Sequence, residues 1–330
     1  MVNENIKSVF IAEFGPAENL EIREIDPLPP PANNQTLINV KAAALNRADL
    51  LQRRGLYPAP KGYPQRVPGL EFSGKVAEAG PNCGRFKQGD RVMGITAGGA
   101  QSEQILVDER HVVSIPQALS CIEAAALPEA FITAHDAVWT QGHLQHNETL
   151  LIHAVGSGVG LAALQIAKAK GNRVLGTSRT AQKLDKCRDF GLDLAIDSSC
   201  ENFAEAVKNA GGVDVILDLV GGKFLDQNLK SLNRHGRLVA VGLVGGRKAE
   251  MDLGLVLTKR LILIGTVMRS RSAEEKAEAV AGFEKDVLPL ISDGSIRPNV
   301  DRVFPMSDVA EAHRYLESNK SFGKVVLEFG

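Results

Sequence analysis

The chain has 330 residues, 44% of them hydrophobic and 23% charged, with 38 Lys and Arg against 39 Asp and Glu. That length suits two domains better than one core. The near-neutral balance gives no basic field to attract nucleic acid or anionic lipid.

The opening MVNENIKSVF carries no apolar signal core. No uninterrupted apolar run of about 18 residues follows, so no membrane span is expected. The first third reads as β-rich. QTLINVKAAAL and GDRVMGI are short apolar runs punctuated by Gly and Pro, and DPLPPPANN (26–34) is a rigid polar loop within a domain. EAAALPEAFITAHDAVW has helical spacing broken at Pro128. From Leu150 strands and helices alternate. TLLIHAV is a strand, GLAALQIAKAKG a helix stopping at Gly171, RVLGTS a strand and KLDKCRDFG a helix ending at Gly191. LAI, VDVILDLVGG, GRLVAVGLVGG and RLILIGTV follow as strands. This alternation predicts an α/β domain whose parallel sheet is covered on both faces. AEEKAEAVAGFEKDVLPLISDG reads as one long amphipathic helix, and the final GKVVLEF as a strand returning to the first domain. Cys83, Cys121, Cys187 and Cys200 are scattered, which fits reduced thiols and a cytoplasmic setting.

The turn Val155-Gly156-Ser157-Gly158-Val159-Gly160 lies between a strand and a helix. A helix start offers unpaired N–H groups and a positive dipole end, and glycine lets a pyrophosphate approach them. With Gly160 as the last glycine of G-x-G-x-x-G, Val155 and Ser157 occupy the first two glycine positions, so the strict fingerprint is not met. The next strand ends in Ser178 and Arg179, with Lys183 one turn later, where an NAD site would place an acidic residue. A 2′-phosphate carries about −2 charge and favours such partners. The cofactor expected is therefore NADP(H).

Several stretches, in order, carry a resemblance across nearly the whole chain. They are AALNRADLLQRRGLYPAPKGYPQRVPGLEFSG, FKQGDRVMGI, AAALPEAFITA, the glycine turn, VDVILDLVGG, GRLVAVGLVGG, IGTVMRSRSAEEKA and IRPNVDRVFPMSDVAEAHRYLES with GKVVL. Together they resemble the zinc-independent quinone oxidoreductases of the medium-chain dehydrogenase/reductase superfamily, nearest the p53-inducible branch. The resemblance implies a GroES-like β-barrel catalytic domain from 1–127 and 270–330. It also implies a Rossmann NADP(H)-binding domain, a doubly wound parallel sheet, from 128–269. Nicotinamide and substrate would meet in the cleft between the two. Dimerisation would run through the last Rossmann strand, LILIGTV, an apolar edge that needs a partner.

The resemblance also implies residue roles. Ser157, Gly158, Val159 and Gly160 would cradle the pyrophosphate, and Ser178, Arg179 and Lys183 the 2′-phosphate. Thr133, Leu243, Thr266, Val267 and Met268 would wall the nicotinamide. Asn46 and Tyr57 would line the substrate side, Asn46 close to the cofactor as well. Two departures stand out. Val155 replaces a small residue and would narrow access to the phosphates. Ser198 stands where relatives stack a tyrosine on the adenosine.

The positions that align with the catalytic zinc ligands of related alcohol dehydrogenases hold Asn46, Leu70 and Glu129, so no metal is expected. Without a Lewis acid, acceptors that take hydride readily become the expected substrates. The leading reading is NADPH-dependent reduction of quinones or related electrophilic carbonyl compounds, by positioning and without an essential acid. An enoyl or enone reductase, with Tyr57 as proton donor, and a non-catalytic NADPH-binding or structural protein remain as alternatives.

Overall fold

The computed structural model describes residues 5–330. In chain order the strands are β1 (Ile6–Ile11), β2 (Leu20–Ile25), β3 (Gln35–Ala44), β4 (Glu71–Ala79), β5 (Arg91–Ile95), β6 (Gln104–Asp108) and β7 (Val112–Ser114). Then come β8 (Thr149–Ile152), β9 (Arg173–Ser178), β10 (Leu194–Asp197), β11 (Val213–Asp218), β12 (Leu232–Ala240) and β13 (Ile262–Gly265). The last two are β14 (Val300–Pro305) and β15 (Lys324–Glu328). The chain forms two compact units. Of the described residues, the first comprises 5–132, 268–292 and 297–330, and the second 133–267 and 293–296.

In the first unit, β14, β15, β3, β4, β5 and β7 lie side by side in that order, and β6 pairs with β3. The C-terminal β15 pairs antiparallel with β3, Val326 opposite Ala44. The end of the chain is thus built into the sheet begun by its first third. Alternation along β3 turns Ile38 and Val40 inward, where they meet Phe72, Val92, Val107, Val325 and Leu327 in one core. Phe304 and Leu316 close the same core. The amphipathic segment near the C-terminus is two helices, Ala273–Asp286 and Leu288–Ser292, rather than the one that its periodicity predicts. Pro289 has no N–H to continue the ladder, and the helix caps at Val287.

The second unit is a six-stranded parallel sheet ordered β10-β9-β8-β11-β12-β13. The chain steps outward from β8 through β9 to β10, then returns beside β8 at β11 and steps the other way. Loops after β8 and β11 therefore diverge at the carboxyl ends of neighbouring strands, the place where open α/β sheets bind their ligands. Leu151, Leu175, Ile216 and Leu238 pack with Phe203, Val207 and Leu229 from the covering helices. Among the described residues, no helix is long and apolar enough to cross a membrane.

Candidate functional site

In the second unit the glycine turn follows β8 and opens the helix Gly158–Ala169. Ser157 is its N-cap, and its Oγ accepts from the Gly160 N–H at 3.1 Å. The N–H groups of Gly158 and Val159 precede the first intrahelical bond, so the turn offers donors to an anion. Gly160 is obligatory for a different reason. A Cβ there would lie 2.6 Å from the Ala154 carbonyl oxygen and 2.7 Å from that of Val155, so only glycine lets the helix approach β8 this closely.

Val155 does not narrow the phosphate site. It is fully buried, donates its N–H to Thr177 O at 3.0 Å, and fills the space in which a Cβ on Gly176 would fall 2.9 Å from it. Its side chain is spent on packing between β8 and β9.

β9 runs parallel to β8, Gly176 opposite Ile152, so Ser178 and Arg179 end beside the glycine turn. Arg179 is exposed there, Lys183 is half-buried on the following helix, and the Ser178 Oγ accepts from the Thr180 N–H at 3.2 Å. Ser198 donates its N–H to Ser178 O at 2.9 Å, tying β10 to this corner. Leu243 and Thr266 follow β12 and β13 at the same carboxyl edge. Leu243 is exposed beside Gly221, Thr266 Oγ1 faces Asp136 Oδ2 at 3.4 Å, and Val267 is exposed. Thr133 is only 8% exposed, and its Oγ1 has no hydrogen-bond partner. An orphaned buried hydroxyl is costly unless a ligand completes it. Donors at the helix start fit the pyrophosphate of a nicotinamide dinucleotide. Met268, which follows Val267 in the chain, is buried at 6% exposure.

Beneath the turn lies a network that sequence reasoning missed. His153 Nδ1 meets Thr177 Oγ1 at 2.8 Å, and its Nε2 meets Asn228 Oδ1 at 2.6 Å. Asn228 donates to Asp218 Oδ2 at 3.1 Å, while Asp218 Oδ1 accepts from the Val220 and Gly221 N–H groups at 2.7 and 2.9 Å. Burial lowers the His153 pKa and favours the neutral ring. One buried chain of hydrogen bonds thus fixes the ends of β8, β9 and β11 relative to one another.

The first unit carries a second polar cluster. Asn46 precedes the helix Arg47–Arg53, and its N–H donates to Asp49 Oδ2 at 2.7 Å. Its side chain bridges two charges. Nδ2 donates to Glu71 Oε1 at 2.8 Å, and Oδ1 accepts from Lys324 Nζ at 2.7 Å. Lys324 Nζ also lies 2.6 Å from Glu71 Oε1 and donates to Leu45 O at 3.0 Å, so its three protons are used. Glu71 Oε2 accepts from the Glu129 N–H at 2.9 Å. Asp49 Oδ1 accepts from Gly69 N at 2.9 Å, yet burial outweighs both N–H bonds and pushes its pKa up to about 6. Glu129 is half-buried, and desolvation with the nearby Glu71 pushes it up to about 8.

Tyr57 joins the cluster through Arg269, whose Nη1 donates to Tyr57 O at 2.9 Å and whose guanidinium lies 4.9 Å from the Tyr57 ring centroid. Arg269 also donates to Ala97 O at 2.8 Å and to Gln52. Asn46 and Tyr57 make no direct hydrogen bond. Glu71 and Lys324 are further members that sequence reasoning passed over. Each is a charged residue opening an otherwise apolar buried strand, EFSG and KVVL, which was the available signal. Among the described residues no group of three or more His, Cys, Asp or Glu is placed to hold a metal ion.

Residues 32–117 match the family described as alcohol dehydrogenase GroES-like domain, and residues 158–284 match zinc-binding dehydrogenase. Quinone oxidoreductase-like protein 2 of Bos taurus is 31% identical to the chain, over 98% of the chain and 92% of that protein. The chain belongs to the medium-chain dehydrogenase/reductase superfamily. Its fold is accordingly the GroES-like catalytic domain with a Rossmann-type parallel sheet, and its relatives include quinone oxidoreductases. Among solved structures, Escherichia coli quinone oxidoreductase complexed with NADPH is similar at 29% identity and TM-score 0.87, covering 98% of this chain and 99% of that one. JamJ enoyl reductase in its apo form is similar at 25% identity and TM-score 0.87, with coverage of 98% and 99%. This member of the superfamily is an oxidoreductase.

Proposed function

We propose that this oxidoreductase reduces quinones or related electrophilic carbonyl compounds with NADPH and without zinc. The observation that carries the reading is the Lys324 ammonium, which already occupies Asn46 Oδ1 and Glu71 Oε1. A metal ion drawing on those oxygens would have to displace a buried cation that is fully hydrogen-bonded. With no Lewis acid to polarise a simple ketone, the natural acceptors are those that need little help. NADPH supplies the hydride when bound. Ser157 and the N–H groups of Gly158 and Val159 bind its pyrophosphate, Arg179 with Ser178 and Lys183 its 2′-phosphate, and the Thr133 hydroxyl an otherwise missing hydrogen bond. The placement nearest the p53-inducible branch rests on the motifs quoted for it. β13 and the helix Leu253–Lys259 expose Ile262 (53%) and Leu257 (76%), and a second copy of the chain would cover this unpaired edge in a homodimer.

A specific observation favours enone reduction as the second reading. Arg269 meets Tyr57 at its carbonyl and its ring, and among the described residues no hydrogen bond engages the Tyr57 hydroxyl, which is able to serve as a donor. NADPH oxidation, followed optically with an ortho-quinone, a para-quinone and an α,β-unsaturated ketone after dialysis against a chelator, tests these readings. NADH and Arg179→Ala run beside it. Quinone turnover that survives chelation, with NADPH preference lost in the variant, is the expected result. Turnover of the enone alone moves the protein to the second reading. NADPH binding with no turnover of any acceptor sinks both and leaves a binding protein.

A further inference from the structure

Two segments of the second unit form the proposed dinucleotide seat, the glycine turn after β8 and the Ser178-Arg179 corner that ends β9. A buried polar residue stands just before each of them. His153 follows β8 directly and precedes Ala154, where the turn begins, and Thr177 precedes Ser178. They are 0% and 1% exposed, and they meet at 2.8 Å between His153 Nδ1 and Thr177 Oγ1.

The hydrogen bonds around His153 have a fixed direction. Asp218 Oδ1 accepts from the Val220 and Gly221 N–H groups, and its Oδ2 accepts from Asn228 Nδ2. Asn228 therefore presents Oδ1 to the imidazole, and that oxygen can only accept. Burial keeps the ring neutral, so Nε2 carries its one proton, Nδ1 is bare, and the Thr177 hydroxyl donates to Nδ1. Phe203 and Phe224 meet the ring edge-on, each with its centroid 4.8 Å away, and hold the ring plane as well.

Both segments hang from this bond. Ala154 has φ 51°, a left-handed conformation that is unfavourable for a residue with a Cβ. It is held from both sides. His153 donates its N–H to Leu217 O at 3.1 Å, and Val155 donates its N–H to Thr177 O at 3.0 Å. Ala154 O in turn accepts from the N–H of Ser157, the N-cap of the helix whose start offers donors to an anion. Side chains alternate along β9. A Cβ on Gly176 would point at Val155, so Ser178 shares that face and Thr177 turns the other way, to His153. Thr177 is thus tied to the β8 side twice, by its carbonyl and by its hydroxyl.

We propose that His153 and Thr177 are positioning residues for cofactor specificity, their bond setting the spacing between the pyrophosphate cradle and the 2′-phosphate corner so that NADPH is favoured over NADH. The proposal rests on the NADPH reading above. The adenosine ribose fixes the distance between those two anionic groups, so a seat built to match both is preorganised for the phosphorylated dinucleotide. Both residues lie beneath the seat. They act through Ser157 on one side and through Ser178 and Arg179 on the other.

Calorimetric titration of the full chain with NADPH and with NADH tests this. The wild type is expected to bind NADPH the more tightly. Thr177→Val keeps the shape and removes the hydroxyl, and should weaken NADPH by about fivefold to tenfold and NADH by less than about twofold. Thr177→Ser restores the wild-type ratio. Thr177→Cys, a weak donor, falls between the two and serves alone if the valine variant does not fold. In Thr177→Val/Arg179→Ala the loss of NADPH affinity is no larger than in Arg179→Ala, because Thr177 acts through the corner that Arg179 completes. Nitrogen-15 NMR of the free protein shows His153 with a proton on Nε2 and none on Nδ1. Losses that add in the double variant, no recovery in Thr177→Ser, or a proton on Nδ1 each overturns the proposal. A wild type that binds both dinucleotides equally sinks the NADPH reading and this proposal with it, whereas a wild-type preference that survives unchanged in Thr177→Val sinks this proposal alone.

Discussion

Lys324→Met removes a cation that is 5% exposed and leaves the remainder of the first unit's cluster in place. Glu71, fully buried, keeps its bonds from the Asn46 amide and the Glu129 N–H but loses its ion pair with Lys324. Asn46 Oδ1 and Leu45 O lose their donor at the same time. A buried pair broken on one side costs about 3–5 kcal/mol, because the surviving charge is uncompensated. Methionine fills most of the volume, so little of that cost is a cavity. Urea unfolding should show the midpoint falling at an unchanged slope. The double variant Lys324→Met/Glu71→Gln discards the stranded charge and should recover about 1–3 kcal/mol of the loss. A single variant that costs less than about 1 kcal/mol, or a double variant no more stable than the single, would refute the claim that this ammonium compensates the buried Glu71 carboxyl group.

Gly160→Ala places a methyl group 2.8 Å from the Val155 Cα as well as against two carbonyl oxygens, and should cost about 1–3 kcal/mol in thermal unfolding while weakening NADPH binding. An alanine as stable as the wild type would show that the helix has room to retreat. The pKa of Glu129 is raised in the folded state, from 4.5 to about 8, so its contribution to stability is complete below pH 4.5 and is lost as the pH rises through 8. Glu129→Gln should therefore gain on the wild type across that window by at most about 1.4 kcal/mol per pH unit, and melts at pH 5 and pH 9 measure the difference. If the proposed homodimer forms through β13, Ile262→Arg puts a charge on its edge and should shift sedimentation from dimer to monomer with the melt of the protein retained, whereas a wild type that sediments as a monomer refutes the dimer. A dimer unchanged by that arginine would place the interface elsewhere.

What was legible in the sequence follows the range over which each feature is encoded. β8 to β13 are apolar runs with glycine stops between them, and a parallel sheet covered on both faces leaves that mark locally. The glycine turn and the Ser178-Arg179 end of β9 were legible for the same reason, since strand, turn and helix are contiguous. The order β14-β15-β3-β4-β5-β7 was not, because it joins segments that lie up to some 290 residues apart and no local period records a partner. The cluster of Asn46, Glu71, Glu129 and Lys324 is hidden in the same way, drawn from four separate segments. Val155 was misread because its direction is set by a gap at Gly176, one strand away.

The two buried networks also differ in what they do with charge. In the second unit, Asp218 is met by Val220 and Gly221 N–H groups and by Asn228, and the neutral His153 adds no charge to the chain. Every polar atom has a partner, so the network fixes three strand ends and has no reason to change state. The first unit is not balanced in that way. Asp49, Glu71 and Glu129 face Lys324 and Arg269, and full ionisation would leave an excess negative charge in a poorly solvated place. Donors are assigned to Asp49 and Glu71 before Glu129, so relief falls on the carboxyl that has none. A titrating group in this position serves stability poorly, for it weakens the fold as the pH rises.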